Sequence, residues 1–219
     1  MNRRTPVAVT AVLAVLGFAL AAVFYDRGIE EQTSTAIQSL QDDVLVRPYS
    51  PVFGPKDAPV TIVEFFDPSC EACRAFHPIV MQIRTEFPRT VRVVLRYTTF
   101  HKGSDEAVRI LETARLQGVF EPVLEGLLEA QPKWATHGEP NLGIAWDAAG
   151  AAGLDVERAR REMLMPDITA ILNQDMADVR AAGVEKTPTF FVNGKPLPSF
   201  GAEQLYALVR EEVAIARKN

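Results

Sequence analysis

The feature that most constrains the fold is a short apolar run that leads directly into a pair of cysteines. The run from Val60 to Phe66 is rich in β-branched and aromatic residues and too short to form a helix of its own, which predicts a buried strand. Asp67-Pro68-Ser69 interrupts it, and helical periodicity extends over residues 70–86. A second β-rich run follows from Val91 to Tyr97. Strand, helix and strand predict a βαβ unit with a parallel pair and a right-handed crossover.

The rest of the chain after Tyr97 predicts a helical block followed by a return to the sheet. Amphipathic runs occupy residues 106–116, 119–128, 142–152, 156–163 and 168–182. Asn193-Gly194 then separates two short apolar runs, which is a strong hairpin signal, and a closing helix is expected over residues 201–217. These patterns predict an α/β domain over residues 51–219 with a helical insertion at about 103–182.

The N-terminus carries a targeting segment. Arg3 and Arg4 precede an uncharged apolar run over residues 7–25, close to the ~20 residues that span a bilayer and longer than the ~7–15 of a signal-peptide core. We therefore predict a signal anchor, that is a transmembrane helix, over residues 1–25 and a linker over 26–50. The alternative is a signal peptide with Ala19-Leu20-Ala21 as the cleavage site, which would leave a soluble periplasmic protein. Both place the domain in the periplasm of a bacterium, and the first anchors it to the inner membrane.

Composition and charge exclude several classes of protein. With 47% hydrophobic and 23% charged residues the chain is not disordered. Its net charge of -5 argues against a nucleic-acid partner, because that binding depends on clustered Lys and Arg. Its two cysteines cannot form a disulfide scaffold or a four-ligand structural zinc site.

The chemistry therefore rests on Cys70-Glu71-Ala72-Cys73. At the start of a helix, free amide groups and the helix dipole favour a thiolate. One helical turn brings the second sulfur within bonding distance of the first, so that an inner Cys73 can attack a mixed disulfide formed at a more exposed Cys70. The pattern predicts a redox-active disulfide, and the alternative is a pair of small core residues.

With these motifs the sequence resembles the DsbA-like thiol-disulfide oxidoreductases of the thioredoxin superfamily. The matching segments are residues 60–73, Pro78, 100–104 and 187–194, and the resemblance covers about 59–219. It implies a thioredoxin-like fold with a helical insertion.

The resemblance also implies roles for residues outside the cysteine pair. Pro188 should follow a cis peptide bond beside the cysteines, with the backbone of Thr187 docking a substrate chain as an added strand. Glu64 corresponds to a buried acid that helps to move the proton of the inner cysteine. The implied activity is exchange with protein thiols or disulfides, with recycling by a membrane redox partner and no cofactor beyond the cysteine pair.

The dipeptide between the cysteines bears on the direction of exchange. Strong oxidants of the family have a His before the second cysteine, where this chain has Ala72, and a Glu71 carboxylate beside Cys70 disfavours a second negative charge. Thr187 is the residue type commoner in isomerase and reductase members. These features predict a Cys70 pKa above ~3.5 and a couple less oxidising than the strongest oxidants, with the direction left open.

The histidines supply the alternative function. Cys70, Cys73 and His77 together offer three ligands to copper or zinc, which would make the protein a copper-binding metallochaperone of the same fold. We favour His77 as an exposed helical residue and expect no metal. His101 is predicted to be a capping or surface residue, and His137 carries no local signal.

Overall fold

The structure is a computed structural model that describes residues 44–136 and 138–218. Its five strands are β1 (Val52–Phe53), β2 (Val60–Phe66), β3 (Val91–Tyr97), β4 (Thr189–Val192) and β5 (Lys195–Pro196). They form one sheet in the order β1-β3-β2-β4-β5, in which β2 and β3 are parallel and the other neighbours are antiparallel. Helix α1 (Glu71–Glu86) connects β2 to β3, which confirms the predicted βαβ unit.

Helices fill the chain between β3 and β4. They are α2 (Ser104–Leu116), α3 (Phe120–Trp134), α4 (Leu142–Ala151), α5 (Val156–Glu162) and α6 (Pro166–Ala181), and α7 (Ala202–Ala216) follows the sheet. The predicted helical insertion and the hairpin at Asn193-Gly194 are thus confirmed. Helix α3 extends six residues past the predicted end at 128, because Gln131 and Trp134 continue its buried face.

The central strand β2 is buried on both sides. Its side chains alternate between the two faces of the sheet, so that Ile62, Glu64 and Phe66 share one face. Ile62 and Phe66 pack there with Cys73 of α1 in the larger core cluster, whereas Phe65 lies in a smaller cluster on the other face. The alternation therefore turns the Glu64 side chain toward the face that carries the cysteines.

The segment at residues 44–50 packs against the domain, although the sequence analysis assigns it to the linker over 26–50. Leu45 is buried in the smaller cluster. The Arg47 guanidinium donates to both carboxylate oxygens of Asp178 at 2.7 and 2.8 Å, across 131 residues of sequence. Pairing over such a separation leaves no local pattern in the sequence.

A buried ion network fastens this segment to β3. Arg96 is fully buried and donates to Asp175 at 2.8 Å and to Asp178 at 2.6 Å. The Tyr49 hydroxyl donates to Asp175 at 2.7 Å, and Arg96 also donates to the carbonyl of Val44. Removing one partner from such a buried group typically costs about 3–5 kcal/mol, since it leaves an uncompensated charge.

The predicted transmembrane helix at residues 1–25 lies outside the described residues, as does the linker up to residue 43. In the two described ranges, no helix has the length and hydrophobicity that crossing a bilayer requires.

Candidate active site

The cysteine pair lies where β2 ends and α1 begins. Cys70 is the N-cap residue of α1, and its backbone amide donates to the carbonyl of Asp67 at 3.0 Å. Both cysteines are free thiols; Cys70 is 6% exposed and Cys73 0%. The outer position of Cys70 agrees with the sequence analysis. No side chain of the described residues caps the start of α1, and the hydroxyl of Ser69 donates to the Lys102 carbonyl at 3.4 Å.

The environment of Cys70 favours a thiolate. Its pKa is lowered to about 5, chiefly by a hydrogen bond from Cys73, against the opposing effect of burial. The Thr187 side chain and the backbone amides of Ala72 and Cys73 lower it further. A pKa above ~3.5 agrees with the sequence analysis. The main causes are these hydrogen bonds, so the influence of the Glu71 carboxylate stays a prediction.

The environment of Cys73 favours the protonated thiol. Burial is the largest cause that raises its pKa, followed by the bond to Cys70 and the charges of Glu64 and Cys70. The Asp67 amide donates to Cys73 Sγ at 3.4 Å and acts in the opposite direction. Two thiols one helical turn apart therefore differ strongly in acidity, with the outer one ionised at neutral pH.

Glu64 is a carboxyl group inside the core. It is fully buried, and neither of its carboxyl oxygens has a hydrogen-bond partner among the described residues. Burial raises its pKa to about 8, and the charge of Cys70 adds to the effect. Glu64 is thus a proton-holding group near neutral pH, electrostatically coupled to both cysteines.

Strand β4 brings Thr187 and Pro188 to the cysteines. The antiparallel pair of Phe65 with Thr189 carries the preceding residues to the carboxyl end of β2. The Thr187–Pro188 peptide bond is cis, as expected. Cys70 Sγ lies 3.4 Å from the carbonyl oxygen of Thr187, although 117 residues separate the two in sequence.

Gln131 holds the active-site turn and was not identified from the sequence. Its side chain is buried in α3 and donates to the carbonyls of Pro68 at 2.8 Å and Cys70 at 3.0 Å. Its own carbonyl accepts from Arg74 at 3.0 Å. A polar residue on the apolar face of a helix would have been the signal, but the predicted helix ended at 128.

Asp67 is a second residue that sequence reasoning missed. Its carboxylate is fully buried and accepts hydrogen bonds from the backbone amides of Ser69 at 2.8 Å and Phe100 at 2.8 Å. The Ser104 hydroxyl also donates to it, and His101 donates through its backbone amide and contacts it through ring Nδ1. Asp67 thereby joins the end of β2 to the loop that begins the helical insertion.

The prediction that His77 is exposed was wrong. His77 is 4% exposed, because α3 packs over that side of α1, and its Nε2 lies 2.8 Å from Glu125 Oε1. In the described part of the chain, no cluster of three or more His, Cys, Asp or Glu residues could hold a metal ion. The geometry therefore gives no support to the copper site at Cys70, Cys73 and His77.

A cleft of about 550 Å³ opens beside Cys70. One wall is the active-site turn at residues 69–72, and another consists of His101 and Lys102. The third wall is the end of α3 and the residues after it, Ala135, Thr136 and Gly138. The outer cysteine thus lies between the sheet domain and the helical insertion, where a substrate segment has room.

Comparison with known proteins identifies the family. Residues 47–211 match the thioredoxin family. A thioredoxin-like oxidoreductase from Silicibacter pomeroyi superposes with a TM-score of 0.68 at 33% identity, covering 81% of this chain and 98% of that one. α-DsbA1 of Wolbachia pipientis has the same fold, with a TM-score of 0.71 at 15% identity, covering 82% of this chain and 99% of that one.

A relative with curated function differs greatly in length. The Na(+)/H(+) antiporter NhaA of Herminiimonas arsenicoxydans is 34% identical over 144 residues, which are 66% of this chain and 22% of the antiporter. The chain thus spans about a fifth of the length of that relative. The family match, the fold and the cysteine pair at the start of α1 agree with one another, and the chain belongs to the thioredoxin family.

Proposed function

We propose that the protein exchanges disulfides with the cysteines of protein substrates outside the cytoplasm, through attack by Cys70 and resolution by Cys73. The observation that carries the proposal is the opposite shift of the two thiol pKa values, down to about 5 for Cys70 and upward for Cys73. At pH 7 such a pair holds one attacking thiolate and one protonated thiol in reserve. The cysteine pair needs no further cofactor for this chemistry.

The proposed reaction proceeds in two balanced steps. The Cys70 thiolate attacks one sulfur of a substrate disulfide, the substrate S–S bond breaks, and the second substrate sulfur leaves as a thiolate. Cys73 then loses its proton and attacks Cys70 Sγ, which releases the first substrate sulfur as a thiolate and forms the Cys70–Cys73 disulfide. Two electrons pass from the cysteine pair to the substrate, and the reverse sequence oxidises a substrate dithiol.

We assign the residues around the pair to the supporting steps. Glu64 accepts the proton of Cys73 when that thiol attacks, a role that its pKa of about 8 and its electrostatic coupling to Cys73 support. Thr187 docks the substrate chain through its backbone, next to the sulfur that reacts. The cleft beside Cys70 accommodates the substrate residues around the disulfide.

The acidity of Cys70 predicts an intermediate reduction potential. A pKa of about 5 lies between the ~3.5 of the strongest oxidant and the ~7 of thioredoxin, so the potential of the couple should lie between about -120 and -270 mV. Because the folded pKa of Cys70 is lowered, its thiolate adds stability to the reduced protein as pH rises above about 5, and this contribution is lost as pH falls through that value. Equilibration of the protein in glutathione buffers at several pH values measures the reduction potential of the Cys70–Cys73 couple directly.

Matched variants at Thr187 test the cause of that acidity. The rate of alkylation of Cys70 by iodoacetamide should have a midpoint near pH 5 in the wild type and in Thr187→Ser, which keeps the hydroxyl. Thr187→Val should raise the midpoint and make the couple more reducing. A wild-type midpoint near 8.5, or a potential at -120 mV or above, would contradict the proposed intermediate couple.

We propose that the domain is tethered to the inner membrane on its periplasmic side and is recycled by a membrane redox partner. The support is the apolar run over residues 7–25 with Arg3 and Arg4 before it. The antiporter relative adds support, since one chain there combines a region similar to this domain with a transporter.

Cell fractionation tests the tether. The full-length chain should sediment with the membranes, resist a carbonate wash and require detergent for release, because an apolar run of this length partitions into lipid. A soluble mature chain that begins near Ala22 would instead support cleavage after Ala21.

A further inference from the structure

One ring nitrogen of His101 contacts a buried carboxylate. Its Nδ1 lies 2.9 Å from Asp67 Oδ2, on a carboxylate that the protein buries completely. This bond fixes the orientation of the imidazole ring and does not involve the second nitrogen, Nε2. The His101 side chain is 43% exposed.

The exposed side of His101 borders the cleft that Cys70 also lines. Cys70 stands on the active-site turn and His101 on the loop that Asp67 fastens to it. The cleft that both residues line has room for a substrate sulfur next to Cys70. An oriented imidazole beside a reactive cysteine, supported by a carboxylate, is the arrangement by which proteins perform acid–base catalysis.

In the two steps proposed above the substrate sulfur departs as a thiolate, and none of the residues assigned so far gives it a proton. Cys70 is already a thiolate at neutral pH, and Glu64 serves the buried Cys73. The substrate sulfur has an ordinary thiol pKa of ~8.5, so it leaves more readily when it receives a proton. We infer that His101, oriented by Asp67, is the acid–base residue for the substrate sulfur.

The transfer balances in both directions. When a substrate disulfide is reduced, the departing sulfur takes the proton from His101 Nε2 and leaves as a thiol. When a substrate dithiol is oxidised, Nε2 takes the proton of the attacking thiol, whose sulfur then bonds to Cys70 while Cys73 leaves. His101 is thus a catalytic residue and Asp67 a positioning residue, whichever way the exchange runs.

Other charged groups around the cleft also act on the proton transfer by His101. Asp67 faces the ring from the end of β2, and the Cys70 thiolate and Glu71 face the cleft from the active-site turn. Lys102 contributes a positive charge on the same wall and pairs with Glu139 at 3.3 Å.

Two disulfides that release thiols of different acidity test the role of His101. An aromatic disulfide, 5,5′-dithiobis(2-nitrobenzoic acid), releases a strongly acidic thiol that needs no proton, whereas oxidised glutathione releases an alkyl thiol that does. The variant His101→Asn keeps an amide donor near the position of Nδ1, and therefore the bond to Asp67, but has no nitrogen at the position of Nε2. We expect it to slow the reaction with oxidised glutathione about 100-fold and the aromatic reaction by less than about 2-fold.

Further variants keep the result interpretable. His101→Gln places an amide near Nε2 instead and should show the same selective loss, since an amide does not transfer protons. Lys102→Gln changes the charge of the same wall and should leave the ratio of the two rates unchanged. Alkylation of Cys70 by iodoacetamide should keep its wild-type rate in both His101 variants.

The inference rests on the proposed role of Cys70, and the assay separates the two failures. Equal slowing of both disulfides in the His101 variants, or slowing of neither, would overturn the role of His101 alone. A wild-type protein that is alkylated at Cys70 yet exchanges with neither disulfide would overturn the proposed function, and the inference with it.

Discussion

We expect Cys73→Ser to accumulate a mixed disulfide between Cys70 and its substrate, and Cys70→Ser to trap none and to show no exchange above the uncatalysed rate. Cys70 has the lowered pKa and is 6% exposed, against 0% for Cys73, so it supplies the attacking thiolate. Cys73 is fully buried and protonated, and its attack on the mixed disulfide releases the substrate. Non-reducing electrophoresis and mass spectrometry after incubation with a disulfide-bonded protein measure the trapped species.

A second substitution at the inner position provides the control. The hydrogen bond from Cys73 is the largest cause of the low Cys70 pKa, and a serine hydroxyl can replace it, whereas alanine cannot. Cys73→Ala should therefore trap substrate more slowly below pH 7, with an alkylation midpoint shifted toward 8.5. Normal turnover by Cys73→Ser, or trapping by Cys70→Ser, would reverse the assignment of the two cysteines.

Glu64→Gln should remove most of the pH dependence of stability of the oxidised protein between about pH 4.5 and 8. Burial is the largest cause that raises the folded pKa of Glu64, to about 8 in the protein with free thiols, and it acts in the disulfide form too, while an unfolded glutamate titrates near 4.5. In this range unfolding releases a proton, so the free energy of unfolding is highest below pH 4.5 and falls until pH 8. At ~1.4 kcal/mol for each unit of pKa difference, we expect a loss of roughly 3–5 kcal/mol in the wild type and little in the variant.

The redox state decides whether this slope is visible. In the reduced protein, Cys70 has a lowered pKa of about 5, so its thiolate makes the folded state more stable as pH rises and opposes the effect of Glu64. Chemical unfolding of the disulfide form therefore isolates the effect of Glu64 on stability.

Glu64→Gln should also slow the resolution of the mixed disulfide about 10- to 100-fold, since Cys73 would lose its proton acceptor.

Thr98 offers a matched control for the unfolding experiment. It is fully buried, and its hydroxyl has no hydrogen-bond partner in the described ranges, as is true of the Glu64 carboxyl oxygens. Thr98→Val removes that polar group without removing a titrating one, so it should change stability equally at every pH. A steep wild-type slope that survives in Glu64→Gln would show that another group is responsible.

Most of the secondary structure was predictable because it depends on local pattern. The βαβ unit, the helical insertion and the Asn193-Gly194 hairpin follow from the spacing of apolar residues and from turn residues a few positions apart. The errors arose where tertiary contacts decide. Residues 44–50 pack on the domain through partners more than 120 residues away, and α3 continues to Trp134 because its last turns are buried.

The candidate site divides in the same way. The cysteine pair at the start of a helix and a glutamate within an apolar strand are visible in the sequence, and the structure brings Cys70, Cys73, Glu64 and Thr187 together. His77 was mispredicted as exposed, since helical periodicity does not disclose that α3 covers that side of α1. Gln131 and the Asp67–His101 pair were missed, because each acts through a bond to a distant loop or helix.

By itself the sequence determined which residues can react and which segments form strands and helices, because both depend on residue type and on neighbours within a few positions. Only the tertiary structure decided how the two cysteines differ. Their pKa values depend on burial, on the Thr187 side chain and on the charge of Glu64, which the fold brings to one end of the sheet from separate strands and loops. Electrostatic interactions act through space and fall off with distance, so the acidity of a thiol is a property of the packed domain rather than of its local sequence.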